Sequence, residues 1–188
     1  NAVTQQLYDE LNDALTRAEA DPDARVVLIT GEGRAFCVGA DLKAHKVGRT
    51  AFDRRQYLKG EQDACHRLLH MKTPVIAAVN GYALGAGAEI AIASDFMLMA
   101  ESAQIGLPEI SIGNFLGGGV TWLLPRLVGL ARRASWSSWA SASRATRRCA
   151  SAWPTACSPT RVSSPRRVNS RSGWQARHRS RCSSPRSR

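Results

Sequence analysis

From Arg132 to Arg188 the chain has no aspartate, glutamate, lysine, leucine, isoleucine, phenylalanine, tyrosine or methionine. Without large aliphatic residues such a stretch cannot offer an apolar face to a core, so its composition predicts disorder. The missing acids also account for the formal net charge of +11. This segment holds 14 arginines, whereas residues 1–131 hold 12 Lys and Arg against 15 Asp and Glu, a net of −3. The bulk charge alone suggests a nucleic-acid or membrane-surface partner, yet it belongs to one end of the molecule. Other absences exclude chemistries. The five cysteines contain no C-x-x-C pair, which argues against a metal knuckle or a dithiol site. No G-x-S-x-G occurs, so a serine hydrolase has no support. No apolar run is long enough to span a bilayer, and no signal peptide is evident. A soluble cytoplasmic protein with buried or incidental thiols at Cys37 and Cys65 is the expectation.

Residues 1–131 carry the patterning of a folded domain. Thr4 caps an expected helix to about Ala20, with Leu7, Leu11, Ala14 and Leu15 near helical spacing. Val26 to Ile29 is a short buried strand, and Gly31 to Asp41 a loop of small residues. A helix from about Thr50 to Met71 follows, with Phe52, Tyr57, Leu58, Cys65, Leu68 and Leu69 facing inward. Val75 to Val79 is a second strand turned by Asn80-Gly81, and Gly85 to Ser94 a short buried helix. Phe96 to Ala100 is a third strand, Gln104 to Ile112 a strand or extended segment, and Val120 to Leu130 a helix. Strands alternating with helices specify an α/β fold with mostly parallel strands. The chain starts at Asn1 rather than Met, and a fragment lacking an opening strand or hairpin is expected.

Two glutamates stand out. Glu89 and Glu109 sit in otherwise apolar or glycine-rich sequence, where a carboxylate must find partners or hold its proton more tightly. Glu89 also follows Gly85-Ala86-Gly87, a turn able to open a helix with free backbone N–H groups. Free donors beside protonatable carboxylates are what enolate chemistry requires. Asp41 and Asp95 have the setting of structural residues, and His45, His66 and His70 have no nucleophile pattern nearby.

The blocks Gly33-Arg34-Ala35-Phe36-Cys37-Val38-Gly39-Ala40-Asp41-Leu42 and Pro74 to Gly113, the latter containing AAVNGYALGAGAEIAIASDF and LPEISIG, resemble the crotonase superfamily, the enoyl-CoA hydratase/isomerase family. The likeness covers about residues 1–131. It implies a crotonase-like spiral of ββα units, truncated at its N-terminus, and an acyl-CoA thioester as substrate. It further implies an oxyanion hole made by the backbone N–H groups of Ala40 and Ala86. Glu89 would activate water for attack at Cβ and Glu109 would exchange the proton at Cα, the pattern of syn hydration of a trans-2-enoyl-CoA. Enoyl-CoA isomerisation, or another thioester-enolate reaction, is the alternative. Ala40, Asp41, Leu42, Lys43 and Ala86 would line the substrate, Lys43 as a phosphate contact. No metal or redox cofactor is implied, and relatives assemble as homo-trimers or hexamers.

Residues 132–188 do not fit this pattern. Reading plausible GC-rich codons for Ala134 to Thr160 from their last base restores acids and leucines, giving a stretch that resembles the next segment of the family. A frameshifted, disordered tail is therefore expected. The segments that close the site and help build trimers would then be missing, leaving apolar surface exposed on 1–131. Poor folding, aggregation or loss of activity would follow. RNA binding through the Arg/Trp-rich tail is the alternative from another functional class.

Overall fold

A computed structural model describes residues 1–42, 50–129, 143–144 and 174–178. Helix α1 (Gln5–Ala20) leads into the repeating part of the chain. The first repeat is β1 (Val27–Gly31), β2 (Ala35–Cys37) and α2 (Ala51–His70). The second is β3 (Val75–Val79), β4 (Tyr82–Leu84) and α3 (Ala86–Ala93). The third is β5 (Phe96–Met99) and β6 (Gln104–Gly106), followed by a 3-10 helix at Pro108–Ile112 and then α4 (Val120–Val128). Each repeat gives its first strand to one sheet and its second to another. β1, β3 and β5 pair in parallel in the order β5-β3-β1, and β2, β4 and β6 pair in parallel in that order. Parallel neighbours need a crossover, which α2 and α3 provide. The chain is thus a spiral of ββα units, as its sequence implies.

Two further strands finish the sheet edges. β7 (Ser143–Arg144) lies antiparallel to β6, and β8 (Trp174–His178) antiparallel to β1. Both fall in the tail for which composition predicts disorder. Edge pairing needs backbone N–H and C=O groups rather than an apolar face, so it tolerates that composition. The rest of the tail lies outside the described residues, as do Lys43 and His45.

The core sits between the sheets and the helices. Leu7, Tyr8, Leu11 and Leu15 of α1 are buried, as are Tyr57, Ala64, Cys65 and Leu68 of α2. All eight residues of α3 are buried, Glu89 among them. Two expectations for α2 fail: Phe52 and Leu69 are exposed. They lie off the stripe defined by Tyr57, Glu61, Ala64, Cys65 and Leu68, whose spacing of three and four fixes the inward face. Asp95 is structural, its carboxylate accepting the Val75 N–H at 2.8 Å where β3 begins.

The start of α2 is specified by a capping box. The Thr50 hydroxyl oxygen accepts the Asp53 N–H at 3.2 Å, and the Asp53 carboxylate accepts the Thr50 N–H at 2.8 Å. Thr50→Ala is expected to lower stability by about 1 kcal/mol, measured as a shift of the urea midpoint at unchanged slope. An unchanged midpoint would show that α2 is held by its packed face alone.

Candidate active site

Residues 38–42, which follow β2, meet the β4–α3 turn. Val3 bonds to the neighbours of Ala40, its N–H to Gly39 C=O at 2.8 Å and its C=O to the Asp41 N–H at 2.9 Å. In such a parallel bridge the central residue's own N–H points to the opposite side, so Ala40 presents its donor away from Val3. A Cβ placed on Gly39 would stand 3.6 Å from the Ala86 nitrogen, which puts the two segments in contact. Ala86 is the first residue of α3, where no carbonyl one turn back can accept its N–H. Gly85 precedes it with φ 56° and ψ −127° and makes no side-chain cap. That conformation is strained for any residue with a Cβ, and a Cβ there would lie 2.5 Å from Glu109 Oε1. Glycine at 85 therefore both shapes the turn and leaves room for the carboxylate.

A cleft of about 600 Å³ opens at this junction, lined by Ala40, Leu42, Ala86, Glu109 and Glu61 among others. Asp41 is not among the lining residues, its N–H being used to bond Val3. Glu109 lies in the 3-10 helix rather than on a strand; Pro108 opens that turn, where its missing N–H costs nothing. Glu109 is 9% exposed, and its Oε2 has no donor among the described residues. Burial, reinforced by the charge of Glu61 and partly offset by its own backbone N–H, raises its pKa.

Glu89 is 2% exposed and lies just behind the lining. Its Oε2 accepts the Gly118 N–H at 3.0 Å, and its Oε1 has no donor among the described residues. Burial is the largest cause that pushes its pKa up to about 10; the neighbouring Glu61 carboxyl adds to it, and the Gly118 N–H opposes it. At neutral pH, Glu89 is thus protonated. Cys65 beside it has its thiol pKa raised by burial and by both glutamates, and burial pushes Cys37 up to about 11, so both thiols are inert. His66 and His70 are exposed and stack on each other along α2. Among the described residues no three His, Cys, Asp or Glu side chains are grouped to hold a metal ion. No described helix is long and apolar enough to cross a membrane.

Glu61 is the site residue that motif reading misses. It is 7% exposed, four residues after Tyr57 and four before Cys65, so the period of α2 itself directs it inward. A carboxylate at an apolar-stripe position was the available signal.

The family model described as Enoyl-CoA hydratase/isomerase matches residues 1–144. A probable enoyl-CoA hydratase of Mycobacterium tuberculosis is 42% identical over 131 residues, 69% of this chain and 50% of that protein. The crotonyl-CoA hydratase of Syntrophomonas wolfei is 40% identical over 130 residues, with the same coverages of 69% and 50%. The chain therefore spans about half the length of these curated relatives. Among solved structures, an enoyl-CoA hydratase from Bacillus anthracis superposes with TM-score 0.74 at 36% identity, over 78% of this chain and 57% of that one.

Proposed function

The chain belongs to the enoyl-CoA hydratase/isomerase family, and we propose that its site binds an acyl-CoA thioester and adds water across a trans-2-enoyl double bond. The observation that carries this reading is a buried carboxyl beside the meeting Ala40 and Ala86 segments. Glu109 lines the cleft there and its Oε2 has no donor among the described residues, while Glu89, one turn into α3, is buried behind it. The two N–H groups would receive the thioester oxygen as it gains enolate charge, each contributing about 3–4 kcal/mol in the transition state. Water would lose a proton toward Glu89 and bond to Cβ. The π electrons would move onto the thioester oxygen, and Glu109 would then give its proton to Cα. Burial and the charge of Glu61 raise the pKa of Glu109, the direction that favours a proton donor.

Product analysis with matched 2-enoyl- and 3-enoyl-CoA substrates tests the reading. Hydration yields a 3-hydroxyacyl-CoA heavier by one water, whereas isomerisation leaves the mass unchanged. A chain that only moves the double bond is an isomerase. A folded chain that converts neither substrate lacks the proposed activity.

A further inference from the structure

Glu89 poses a chemical problem: a carboxyl that already holds a proton at neutral pH cannot by itself take another from water. The structure supplies a partner. Glu61 reaches the same turn from α2 that Glu89 reaches from α3. A Cβ on Gly117 would stand 2.9 Å from Glu61 Oε2, and one on the adjacent Gly118 3.0 Å from Glu89 Oε2. The two carboxyls thus press against consecutive glycines, and the Gly118 N–H is a donor to one of them. Any side chain at 117 or 118 would wedge them apart, so the glycine pair permits their approach. Two ionised carboxylates this close and this buried repel, and neither can donate a hydrogen bond; with one proton between them, one donates to the other.

We propose that Glu61 and Glu89 share a single proton and act together as one base, with Glu61 as the positioning residue that takes over Glu89's proton. The role is defined within the hydration reading. As water bonds to Cβ, its proton passes to Glu89 and the proton already on Glu89 moves to Glu61. Glu61 is a lining residue of the cleft, so it returns that proton to solvent, and Glu109 regains its own from the same source. The pair thus carries one negative charge before the step and none after it.

The groups around the pair are consistent with a single negative charge. Tyr8 of α1 lies against Glu61 and Tyr57, and burial followed by the charge of Glu61 raises its pKa, so it stays a neutral phenol. The Tyr8 and Tyr57 rings meet edge to face with centroids 5.6 Å apart. Cys65 of α2 stays a thiol, and Glu109 faces the pair from the 3-10 helix. Arg54, exposed, is the cationic side chain among the described lining residues.

Carbon-13 NMR of the full chain labelled at glutamate Cδ tests the pairing without substrate, the Glu89 signal being assigned by its loss in Glu89→Gln. In the unaltered protein Glu89 is expected to keep its proton through neutral pH. In Glu61→Gln its titration should move down by at least about one pH unit. Glu61→Asp, which keeps the charge on a shorter side chain, should keep the high titration, and Glu61→Ala, which also removes the charge, serves if the glutamine variant does not fold. Glu89 titrating at the same pH in folded Glu61→Gln as in the unaltered chain overturns the proposal, even if hydration is intact. A shared-proton titration in a chain that yields no hydrated product upholds the pair and removes the hydratase reading instead.

Discussion

Glutamine in place of Glu109 is expected to lower kcat for hydration of a trans-2-enoyl-CoA by about 10²–10⁴-fold, with KM changed by less than about threefold. Glutamine matches glutamate in volume and keeps an oxygen that can occupy the space beside Gly85, so the cleft should hold its shape. What it loses is the proton. Glu109 is buried in the cleft lining, and its pKa is raised by that burial and by Glu61. Both causes favour the protonated form, which is the form the proposed proton transfer to Cα draws on. The proposed oxyanion donors are main-chain groups of Ala40 and Ala86, and the substitution leaves them alone. Residual activity should accordingly remain above the uncatalysed rate, because donor positioning contributes on its own. A steady-state comparison of the two proteins at pH 7 decides the matter. A kcat within threefold of the unaltered chain would mean that Cα takes its proton from elsewhere, and the role would pass to Glu61 or to bulk water.

The sequence exposes some parts of this site more readily than others, for physical reasons. Helix α2 is legible because Thr50 and Asp53 form a capping box and because Tyr57, Cys65 and Leu68 recur at helical spacing. β1, β3 and β5 are legible as short apolar runs between turn residues. The second sheet is mostly hidden. β2, β4 and β6 are three residues each, so short that the stretch holding β2 reads as a loop and β4 goes unread, while β6 is caught only as the start of the strand or extended segment Gln104 to Ile112. Glu89 and Glu109 show up because a charge in apolar sequence is conspicuous. Glu61 does not, since its neighbours Lys59, Gln62 and Asp63 are polar and only the helical period reveals that it turns inward. The contact of consecutive Gly117 and Gly118 with two carboxyls joins α2, α3 and the segment before α4. No local pattern predicts a contact between elements so far apart in the chain.

The same buried carboxyl should make the protein less stable as pH rises. Glu89 is raised from an ordinary value of 4.5 to about 10. Below about pH 4.5 it is protonated whether the chain is folded or not, and it imposes no penalty. Above that pH the unfolded chain releases the proton while the folded chain keeps it. Folding then loses about 1.4 kcal/mol per pH unit. At pH 7 the accumulated cost is about 3 kcal/mol, and it grows until the folded group itself titrates near pH 10. Glu109, raised in the same direction, adds to the slope. Glu89→Gln removes the titration while leaving an oxygen to accept the Gly118 N–H. The variant is expected to be more stable than the unaltered chain by about 3 kcal/mol at pH 7 and by nothing at pH 4. Urea midpoints measured across pH 4 to 9 should therefore converge at the acid end and separate steadily above it. Curves that stay parallel would show that Glu89 ionises normally in the folded chain, and the proton sharing with Glu61 would fall with that result. If they diverge as expected, the variant that gains stability is also the one that can no longer take a proton from water. That opposition is expected of a carboxyl buried for its chemistry, because the desolvation that costs stability is what keeps the proton where the reaction needs it.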